Sequence, residues 1–169
     1  MPERIAGLPP IAHPDARVLI LGSMPGAESL RRQQYYAHPR NRFWDLMGAL
    51  AGAGRDLPYA ARGAALAGRG IALWDVVRTC ERPGSMDADI RASEPNDFGT
   101  FFAGHPGLRA VFFNGTAAAA LFRRLVSGAP ADVVAGLHVQ VLPSTSPANA
   151  RWSTDACLAA WRRLLDFLD

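Results

Sequence analysis

The sequence predicts an α/β fold, in which a single domain of three layers (α/β/α) surrounds a central, mostly parallel sheet of four strands. Three observations predict it over residues 1–169: apolar runs recur along the chain, helical patterns separate them, and no repeat, linker or shift in composition divides the sequence. Strands that alternate with helices favour a parallel sheet with right-handed crossovers. A chain of this length can bury a substantial core as one domain.

Each predicted strand is a short apolar run, as expected for a parallel strand that is covered on both faces. The four strands are Arg17–Leu21, Ile71–Val77, Ala110–Phe113 and Val139–Leu142. The predicted helices are Phe43–Ala51, Tyr59–Ala67, Asn96–Ala103, Thr116–Val126 and Ser153–Leu168. Asn96-Asp97 and Ser153 or Thr154 are residue types that cap helix N-termini. The segments GAGRDLP and ERPGSMDADI are predicted to be connecting loops.

The composition excludes several classes of protein. No apolar run approaches the ~20 residues that span a bilayer, and the N-terminus has no secretory signal, so we expect a cytoplasmic protein without a membrane partner. Cys80 and Cys157 are the two cysteines, and two thiolates cannot complete a four-cysteine iron–sulfur cluster. The sequence also lacks metal and nucleotide-triphosphate motifs. We therefore expect no metal and no cofactor, and we expect a monomer.

The net charge of +3 comes with arginine and no lysine. Arginine favours planar recognition of phosphate and stacking on bases. The base composition of a GC-rich genome explains the same bias, and we give that explanation more weight.

The most informative segment runs from Val18 to Trp44. The first predicted strand ends in the first loop, residues 22–26, which reads GSMPG. Small residues at the carboxyl end of a parallel strand let the backbone approach a ligand, and Pro25 stiffens the turn. The polar-aromatic segment, residues 35–42, follows and supplies groups for stacking, hydrogen bonding and phosphate contact. An ordinary loop with polar surface residues is the alternative.

A second apolar strand, Val139–Leu142, leads into the second loop, residues 143–149, which reads PSTSPAN. In a doubly wound sheet both loops can open on one crevice. Together, GSMPG, YYAHPRNRFW and STSPANARW resemble the paired active-site loops of the uracil-DNA glycosylase superfamily. The hypoxanthine-DNA glycosylase (DNA-deoxyinosine glycosylase) branch is the most similar, and the mismatch-specific uracil glycosylases come second. The resemblance extends from about Val18 to the last helix.

The resemblance implies a uracil-DNA glycosylase-like fold and a monofunctional DNA glycosylase of base-excision repair. Such an enzyme flips a deaminated nucleotide out of DNA and hydrolyses its glycosidic bond, and the implied base is hypoxanthine. Because the chain has no lysine, a lysine Schiff base is unavailable and water is the expected nucleophile. The alternatives are a mismatch-directed uracil glycosylase, a catalytically impaired relative that binds DNA, and a small-molecule binder, against which the missing GxGxxG pattern counts.

The implied base pocket consists of Gly22, Ser23, Met24, Pro25, Gly26, Tyr36, Asp75 and Asn114. Tyr36 would stack on the base, or else be an interfacial tyrosine. Asp75 stands where uracil-specific relatives have a recognising Asn, and an ionised carboxylate could accept the N1–H of hypoxanthine. A helix-capping Asp, or one paired with Arg78 or Arg82, is the alternative. Asn114 forms the pocket wall or satisfies a strand-to-helix turn.

The implied catalytic residues are Asn41 and Ser144. Many superfamily members carry Asp or Asn at the position of Met24, whose thioether cannot orient or deprotonate water. The resemblance to the hypoxanthine branch assigns the orientation of water to Asn41, although asparagine is also a good helix cap. Ser144 stands where uracil-specific enzymes have His or Asn, and its neutral hydroxyl cannot match a histidine in stabilising an anionic leaving base.

The implied DNA-binding residues surround these groups. They are Arg40, Arg42, Ser146, Asn149, Arg151 and Trp152. The arginines would contact phosphates or remain simply solvated, and Ser144 and Ser146 would donate to phosphates beside the flipped nucleotide. Arg151 and Trp152 could wedge into the vacated base stack. Trp152 could equally anchor the last helix, and His38 is expected to hold its loop by hydrogen bonding.

Overall fold

Residues 3–169 are described by the computed structural model of this protein. Within them the strands are β1 (Arg4–Ala6), β2 (Val18–Gly22), β3 (Ile71–Asp75), β4 (Val77–Glu81), β5 (Arg91–Pro95), β6 (Ala110–Asn114) and β7 (His138–Leu142). The α-helices are α1 (Ala27–Arg32), α2 (Phe43–Ala51), α3 (Tyr59–Gly68), α4 (Phe98–Gly104), α5 (Thr116–Leu125), α6 (Ala129–Ala135) and α7 (Thr154–Trp161). Two 3-10 helices span Asp87–Asp89 and Arg162–Phe167.

The main sheet has four parallel strands in the order β3-β2-β6-β7, which confirms the predicted sheet. Alternate residues of β2 point to opposite faces, as the pleat requires. Leu19 and Leu21 join a core shared with α4, α5 and α6, whereas Val18 and Ile20 join a core shared with α2, α3 and α7. The predicted three-layer α/β/α arrangement is therefore confirmed.

The register of the main sheet brings the carboxyl ends of its strands to one edge. Gly22 lies opposite Asp75, and Asn114 lies opposite Leu142. The first loop and the second loop consequently leave the sheet side by side. The two loops open on one crevice, as the sequence suggested, because Gly22 of the first loop and Ser144 of the second line the same cavity.

A second, antiparallel sheet of three strands, in the order β1-β4-β5, was not predicted. The prediction of one strand over Ile71–Val77 is wrong because β3 ends at Asp75 and the chain then enters this smaller sheet. The N–H groups of Val76 and Val77 donate to the carbonyls of Gly22 and Ser23, which turns the chain at this point. β1 and β5 read RIA and RASEP, which carry no apolar run that would predict them.

The five predicted helices are present, with α2 matching its predicted bounds. Asp97 caps α4 by accepting from the Thr100 N–H, and Ser153 caps α7 by accepting from the Ala156 N–H, as expected. The prediction of one helix over Ser153–Leu168 is wrong in part, because α7 ends at Trp161 and continues as a 3-10 helix. The short helices α1 and α6 were not predicted.

Within residues 3–169, none of the helices combines the length and the apolar character that crossing a membrane requires.

Candidate active site

A cavity of about 300 Å³ opens at the carboxyl edge of the main sheet. Its walls come from the first loop, the polar-aromatic segment, the second loop and the ends of β3 and β6. Of the predicted site residues, the cavity is lined by Gly22, Ser23, Met24, Pro25, Gly26, Tyr36, Asn41, Asp75, Asn114, Ser144 and Ser146. The predicted residues outside its lining are Arg40, Arg42, Asn149, Arg151 and Trp152.

The floor of the cavity carries two buried polar groups that lack partners. Asp75 is 4% exposed, and neither its Oδ2 nor the hydroxyl of Tyr36 has a hydrogen-bond partner within residues 3–169. Both side chains converge on Gly22. A Cβ on Gly22 would collide with Asp75 Oδ1 and would lie 2.9 Å from the Tyr36 hydroxyl oxygen, so only glycine leaves room for them. Buried polar groups usually have a partner, and these two face a space that a ligand can fill.

The pKa of Asp75 is raised to about 7, chiefly because the carboxyl is buried. The carboxylate of Asp87 contributes to this rise, and the guanidinium of Arg82 acts in the opposite direction. Arg82 does not pair with Asp75, because it donates to the carbonyls of Pro25 and Gly84, and Arg78 pairs instead with Glu94. The alternative of an arginine-paired Asp75 is thus not realised.

Tyr36 occupies an unusual position. Its φ of +52° lies in the left-handed region, which a bulky residue adopts only when the surrounding structure holds it there. The ring of Tyr36 packs against that of Phe43, with centroids 4.2 Å apart. Burial raises the pKa of the Tyr36 hydroxyl and the Asp75 carboxylate adds to that rise, while the nearby amide of Asn114 acts in the opposite direction. The net pKa is raised, so this hydroxyl keeps its proton.

Asn41 lines the cavity and also supports the start of α2. Its Oδ1 accepts from the N–H of Phe43 at 2.9 Å, and its backbone carbonyl accepts from the guanidinium of Arg55. His38 holds the same turn, because its carbonyl accepts from the Asn41 N–H and its Nδ1 accepts from the Arg40 N–H. Asn41 therefore supports the first turn of α2 from one residue before the N-cap position, Arg42, and its Nδ2 and the second lone pair of Oδ1 remain for the cavity.

The first loop supplies no polar side chain at position 24. Met24 is 6% exposed, and its side chain belongs to the core that also contains Leu21 and Val77. The thioether lines the cavity as an apolar surface, so any group that handles water comes from another element.

The second loop is held from three directions. Asn114 clamps the fully buried Thr145, donating to its Oγ1 at 3.0 Å and accepting from its N–H at 2.9 Å. The guanidinium of Arg42 donates to the carbonyls of Trp152 and Asn149 at 2.7 and 3.1 Å. From α7, the indole of Trp161 donates to the Pro143 carbonyl at 2.9 Å.

These contacts show where the other predicted residues lie. Asn114 is a wall residue whose amide is engaged by the second loop, and the guanidinium of Arg42 is directed to carbonyls of the protein. Asn149 donates to the Ser144 carbonyl, and Ser144 Oγ accepts from the Ser146 N–H. Arg40, Arg151 and Trp152 are exposed, and Trp152 is exposed by 41%.

The hairpin loop, residues 82–90 between β4 and β5, was missed as part of the site. Ser85, Met86 and Asp87 line the cavity. Ser85 Oγ accepts from the Ala27 N–H at 2.8 Å, and Ser23 Oγ donates to Asp87 Oδ1 at 2.5 Å. The sequence expectation of a connecting loop was correct, but only the run of small and acidic residues in GSMDAD could have suggested a site.

Further cavity residues that sequence reasoning did not select are Ala27, Glu28, Ser29, Tyr35, His38, Thr145, Pro147 and Ala148. Across residues 3–169, no group of three or more His, Cys, Asp or Glu side chains is arranged to hold a metal ion. Cys80 and Cys157 are both buried and free.

Most of the chain is similar to known proteins. Residues 9–166 match the family model of the Uracil DNA glycosylase superfamily. A hypoxanthine DNA glycosylase of Methanosarcina acetivorans is 39% identical over 148 residues, which cover 87% of this chain and 89% of the relative. A hypoxanthine DNA glycosylase of Methanosarcina barkeri is 36% identical over 146 residues, covering 86% and 88%. The solution NMR structure of a candidate uracil DNA glycosylase from Methanosarcina acetivorans has a TM-score of 0.77 at 36% identity, covering 96% of this chain and 99% of that one.

Proposed function

The chain belongs to the uracil DNA glycosylase superfamily, and on that premise we propose that it is a monofunctional glycosylase of base-excision repair that removes hypoxanthine from DNA. The deoxyinosine nucleotide flips out of the duplex, and its base enters the cavity. Water attacks C1′ of the sugar, the glycosidic bond breaks, and an abasic site remains. The absence of lysine supports hydrolysis rather than a lysine Schiff base.

The unpartnered carboxyl of Asp75 is the observation that carries this proposal. Hypoxanthine presents an N1–H donor where adenine presents a lone pair. An ionised Asp75 therefore accepts a hydrogen bond from hypoxanthine and repels the N1 of adenine. With its pKa at about 7, Asp75 is partly ionised at neutral pH, and a bound N1–H donor favours the ionised form. Discrimination of hypoxanthine from adenine follows from this chemistry.

Tyr36 complements Asp75 on the floor. Its unpartnered hydroxyl keeps its proton and can donate to the O6 carbonyl of hypoxanthine. A bound hypoxanthine would thus satisfy both orphaned groups, which would otherwise each carry a desolvation penalty of ~1–3 kcal/mol. Stacking of the tyrosine ring on the base, beside its contact with Phe43, is the alternative role, because a ring that covers the face of the base cannot also donate to its edge.

Asn41 is the group that we assign to the orientation of water. Its Oδ1 already accepts from the Phe43 N–H, and this contact fixes the amide in one orientation. The second lone pair of Oδ1 can then accept from water held at C1′. Ser144 lies on the same cavity and can donate to the substrate beside the leaving base.

DNA contacts are assigned to the exposed residues around the cavity. Arg40 and Arg151 are free to approach phosphates, and Trp152 can enter the gap that the flipped nucleotide leaves. Arg42 and Asn149 contribute by shaping the second loop, and Ser146 faces the cavity itself. Residues 1–169 act as one glycosylase domain, which works in the cytoplasm as a monomer, without metal or cofactor.

Uracil is the second candidate substrate, and one observation favours it. The N3–H of uracil presents to Asp75 the same donor as the N1–H of hypoxanthine, and a candidate uracil DNA glycosylase shares this fold. Ser144 counts against uracil, because its neutral hydroxyl stabilises an anionic leaving base poorly.

Base release from matched oligonucleotides tests the function. Duplexes that bear inosine, uracil, xanthine or adenine at one position are incubated with excess enzyme, and the abasic sites are cleaved with alkali. We expect inosine to be processed fastest and adenine to remain intact. Release of uracil but not of hypoxanthine would replace the proposal with the second candidate, and binding without release of any base would indicate an impaired relative. Borohydride should trap no covalent adduct.

A further inference from the structure

Hydrolysis requires a group that takes a proton from the attacking water. The amide of Asn41 can orient water but is a poor base, and Met24 contributes only apolar surface. Within the described part of the chain, residues 3–169, three carboxylates line the cavity, and they belong to Glu28, Asp75 and Asp87. The choice among them follows from the partners of each carboxylate.

Glu28 is engaged by cations. Its Oε1 accepts from Arg31 at 2.6 Å and from Arg32 at 2.5 Å, and its Oε2 accepts from Arg31 at 3.2 Å. A carboxylate whose two oxygens both receive charged donors is weakly basic, since those donors stabilise its ionised form. Glu28 is therefore poorly suited to accept a proton.

The position of Asp75 suits recognition of the base rather than activation of the attacking water. It lies at the floor against Gly22, where the proposed function assigns it to the Watson–Crick edge of the base. The sugar of a flipped nucleotide remains nearer the DNA, at the mouth of the cavity. A second carboxylate, nearer the mouth, is needed for the water.

Asp87 meets these conditions. It is exposed at the hairpin loop while lining the same cavity as Asn41. Its Oδ1 accepts from Ser23 Oγ at 2.5 Å, which holds the carboxylate beside the first loop. Within residues 3–169, its Oδ2 has neither a hydrogen-bond donor nor an ion-pair partner. The negative charge of Asp87 also acts on the floor, where it raises the pKa of Asp75 and of Tyr36.

The hairpin loop is anchored so that this carboxylate stays in place. Arg82, which is 6% exposed, donates to the Pro25 carbonyl at 2.6 Å, and Ser85 accepts from the Ala27 N–H. These contacts and the bond from Ser23 to Asp87 all join the hairpin loop to the first loop and to the start of α1. The position of the Asp87 carboxylate is thus fixed relative to the first loop, although it comes from a distant part of the sequence.

We infer that Asp87 is the catalytic base, supplying from the hairpin loop the carboxylate that the first loop lacks. This inference rests on the proposed glycosylase function. Asn41 orients the water and Asp87 Oδ2 accepts one of its protons as the water oxygen bonds to C1′. The C1′–N9 bond breaks, and its electron pair leaves with hypoxanthine, which then takes a proton from solvent. Asp87 returns its proton to solvent, and its negative charge also stabilises the oxocarbenium character of the sugar in the transition state.

Single-turnover cleavage of inosine-containing DNA by Asp87→Asn tests this role, with Asp89→Asn as the matched control. The amide oxygen that Asp87→Asn introduces can still accept from Ser23, so the substitution removes the charge and keeps the anchor. We expect Asp87→Asn to cleave about 10²–10³-fold more slowly than the unaltered protein. Asp89 stands on the same 3-10 helix but does not line the cavity, and Asp89→Asn should retain the original rate. Cleavage by Asp87→Asn within threefold of the unaltered protein overturns the inference.

Rescue by an external carboxylate separates chemistry from loop anchoring. Asp87→Ala opens space at the cavity mouth, and sodium formate should restore part of its rate where sodium chloride at equal ionic strength does not. Ser23→Ala breaks the anchor and keeps the carboxylate, and we expect a loss smaller than tenfold. A slow Asp87→Ala that formate leaves unchanged overturns the catalytic role. If the unaltered protein releases no hypoxanthine, the proposed function fails instead.

Discussion

The second loop and the hairpin loop line the same cavity, but different parts of the protein hold them. Carbonyls and a buried threonine of the second loop receive bonds from Asn114, Arg42 and Trp161, which belong to β6, to the start of α2 and to α7. The hairpin loop has its anchors on the first loop and the start of α1, and residues 83–89 are all exposed. The core therefore fixes the middle of the second loop at Thr145, whereas the hairpin loop is buried only at its ends, at Arg82 and Ile90, and exposed side chains hold the residues between them.

This difference indicates that the two loops have different roles. A loop held by the core keeps its backbone in one place, as the binding of a flipped nucleotide requires. A loop held by side chains contributes chiefly the groups that it carries, and substitutions there should alter catalysis more than folding. The floor between the two loops carries Asp75, at the end of β3, and Tyr36, and there the buried carboxyl that we assign to base recognition lowers the stability of the fold.

The largest effect on folding is expected at the floor, from Asp75→Asn. The folded state holds the pKa of Asp75 at about 7, above its usual value of 3.8, so the stability linked to its proton is complete below pH 4 and is lost as the pH rises through 7. Asp75→Asn should thus raise the free energy of unfolding by up to about 4 kcal/mol at pH 8 and change it little at pH 3.5. Urea denaturation at both pH values measures the difference in the free energy of unfolding between Asp75→Asn and the unaltered protein. An equal difference at both pH values would contradict the raised pKa of Asp75.

Asn41→Ala should separate catalysis from capping. If Asn41 orients water, the substitution removes a contact that strengthens in the transition state. The activation barrier should then rise by ~3–4 kcal/mol, which slows single-turnover cleavage by two to three orders of magnitude. Loss of its bond to the Phe43 N–H should lower stability by only ~1 kcal/mol.

The matched control for that substitution is Asp97→Ala, which removes the cap of α4, a helix whose residues do not line the cavity. It should lower stability by a similar ~1 kcal/mol and leave the cleavage rate intact. An unchanged rate in Asn41→Ala would remove Asn41 from the mechanism and leave it as a cap.

Thr145→Val tests how strongly the contact with Asn114 holds the second loop. The substitution keeps the shape of the fully buried side chain but leaves the Nδ2 of Asn114 without its acceptor. We expect a loss of ~1–3 kcal/mol in the free energy of unfolding. Thr100→Val is the control, since it breaks an exposed bond to Asp97 and should lower stability by less than ~1 kcal/mol. Equal losses in the two variants would show that the clamp is no stronger than a surface contact.

Ser85→Ala should have the smallest effect. It removes the acceptor of the Ala27 N–H in an exposed loop, and we expect a change in global stability below ~1 kcal/mol. Amide hydrogen exchange should instead accelerate at Ala27, while the amide of Thr145 keeps its protection. Faster exchange at Thr145 as well would mean that the two loops are not held independently.

The main sheet and the cavity edge were predictable because they depend on runs of like residues. Val18–Leu21 and Ala110–Phe113 are apolar throughout, and the small residues after Leu21 mark the end of a strand. The hairpin loop escaped prediction because its role depends on single long-range contacts, such as the bond from Ser23 to Asp87. A bond between side chains 64 positions apart does not produce a repeating pattern of residues in the sequence.

The sequence predicted that Asp75 belongs to the site but not that its pKa is raised. The resemblance placed it in the base pocket, although the predicted strand ran on past it to Val77, and the burial that raises its pKa depends on packing. The same applies to Arg42, which the sequence offers as a phosphate contact and the fold directs to the carbonyls of Asn149 and Trp152.

The anchoring of the second loop by α7 has a consequence for the timing of synthesis. The Pro143 carbonyl receives its bond from Trp161, whose ring also packs 6.0 Å from that of Phe43 at the start of α2. A ribosome makes residue 161 long after the residues of the first loop, so a chain that ends just before residue 161 carries every residue that lines the cavity but lacks this anchor. Of the three contacts that hold the second loop, those from Asn114 and Arg42 can form first, and the contact from α7 is added last.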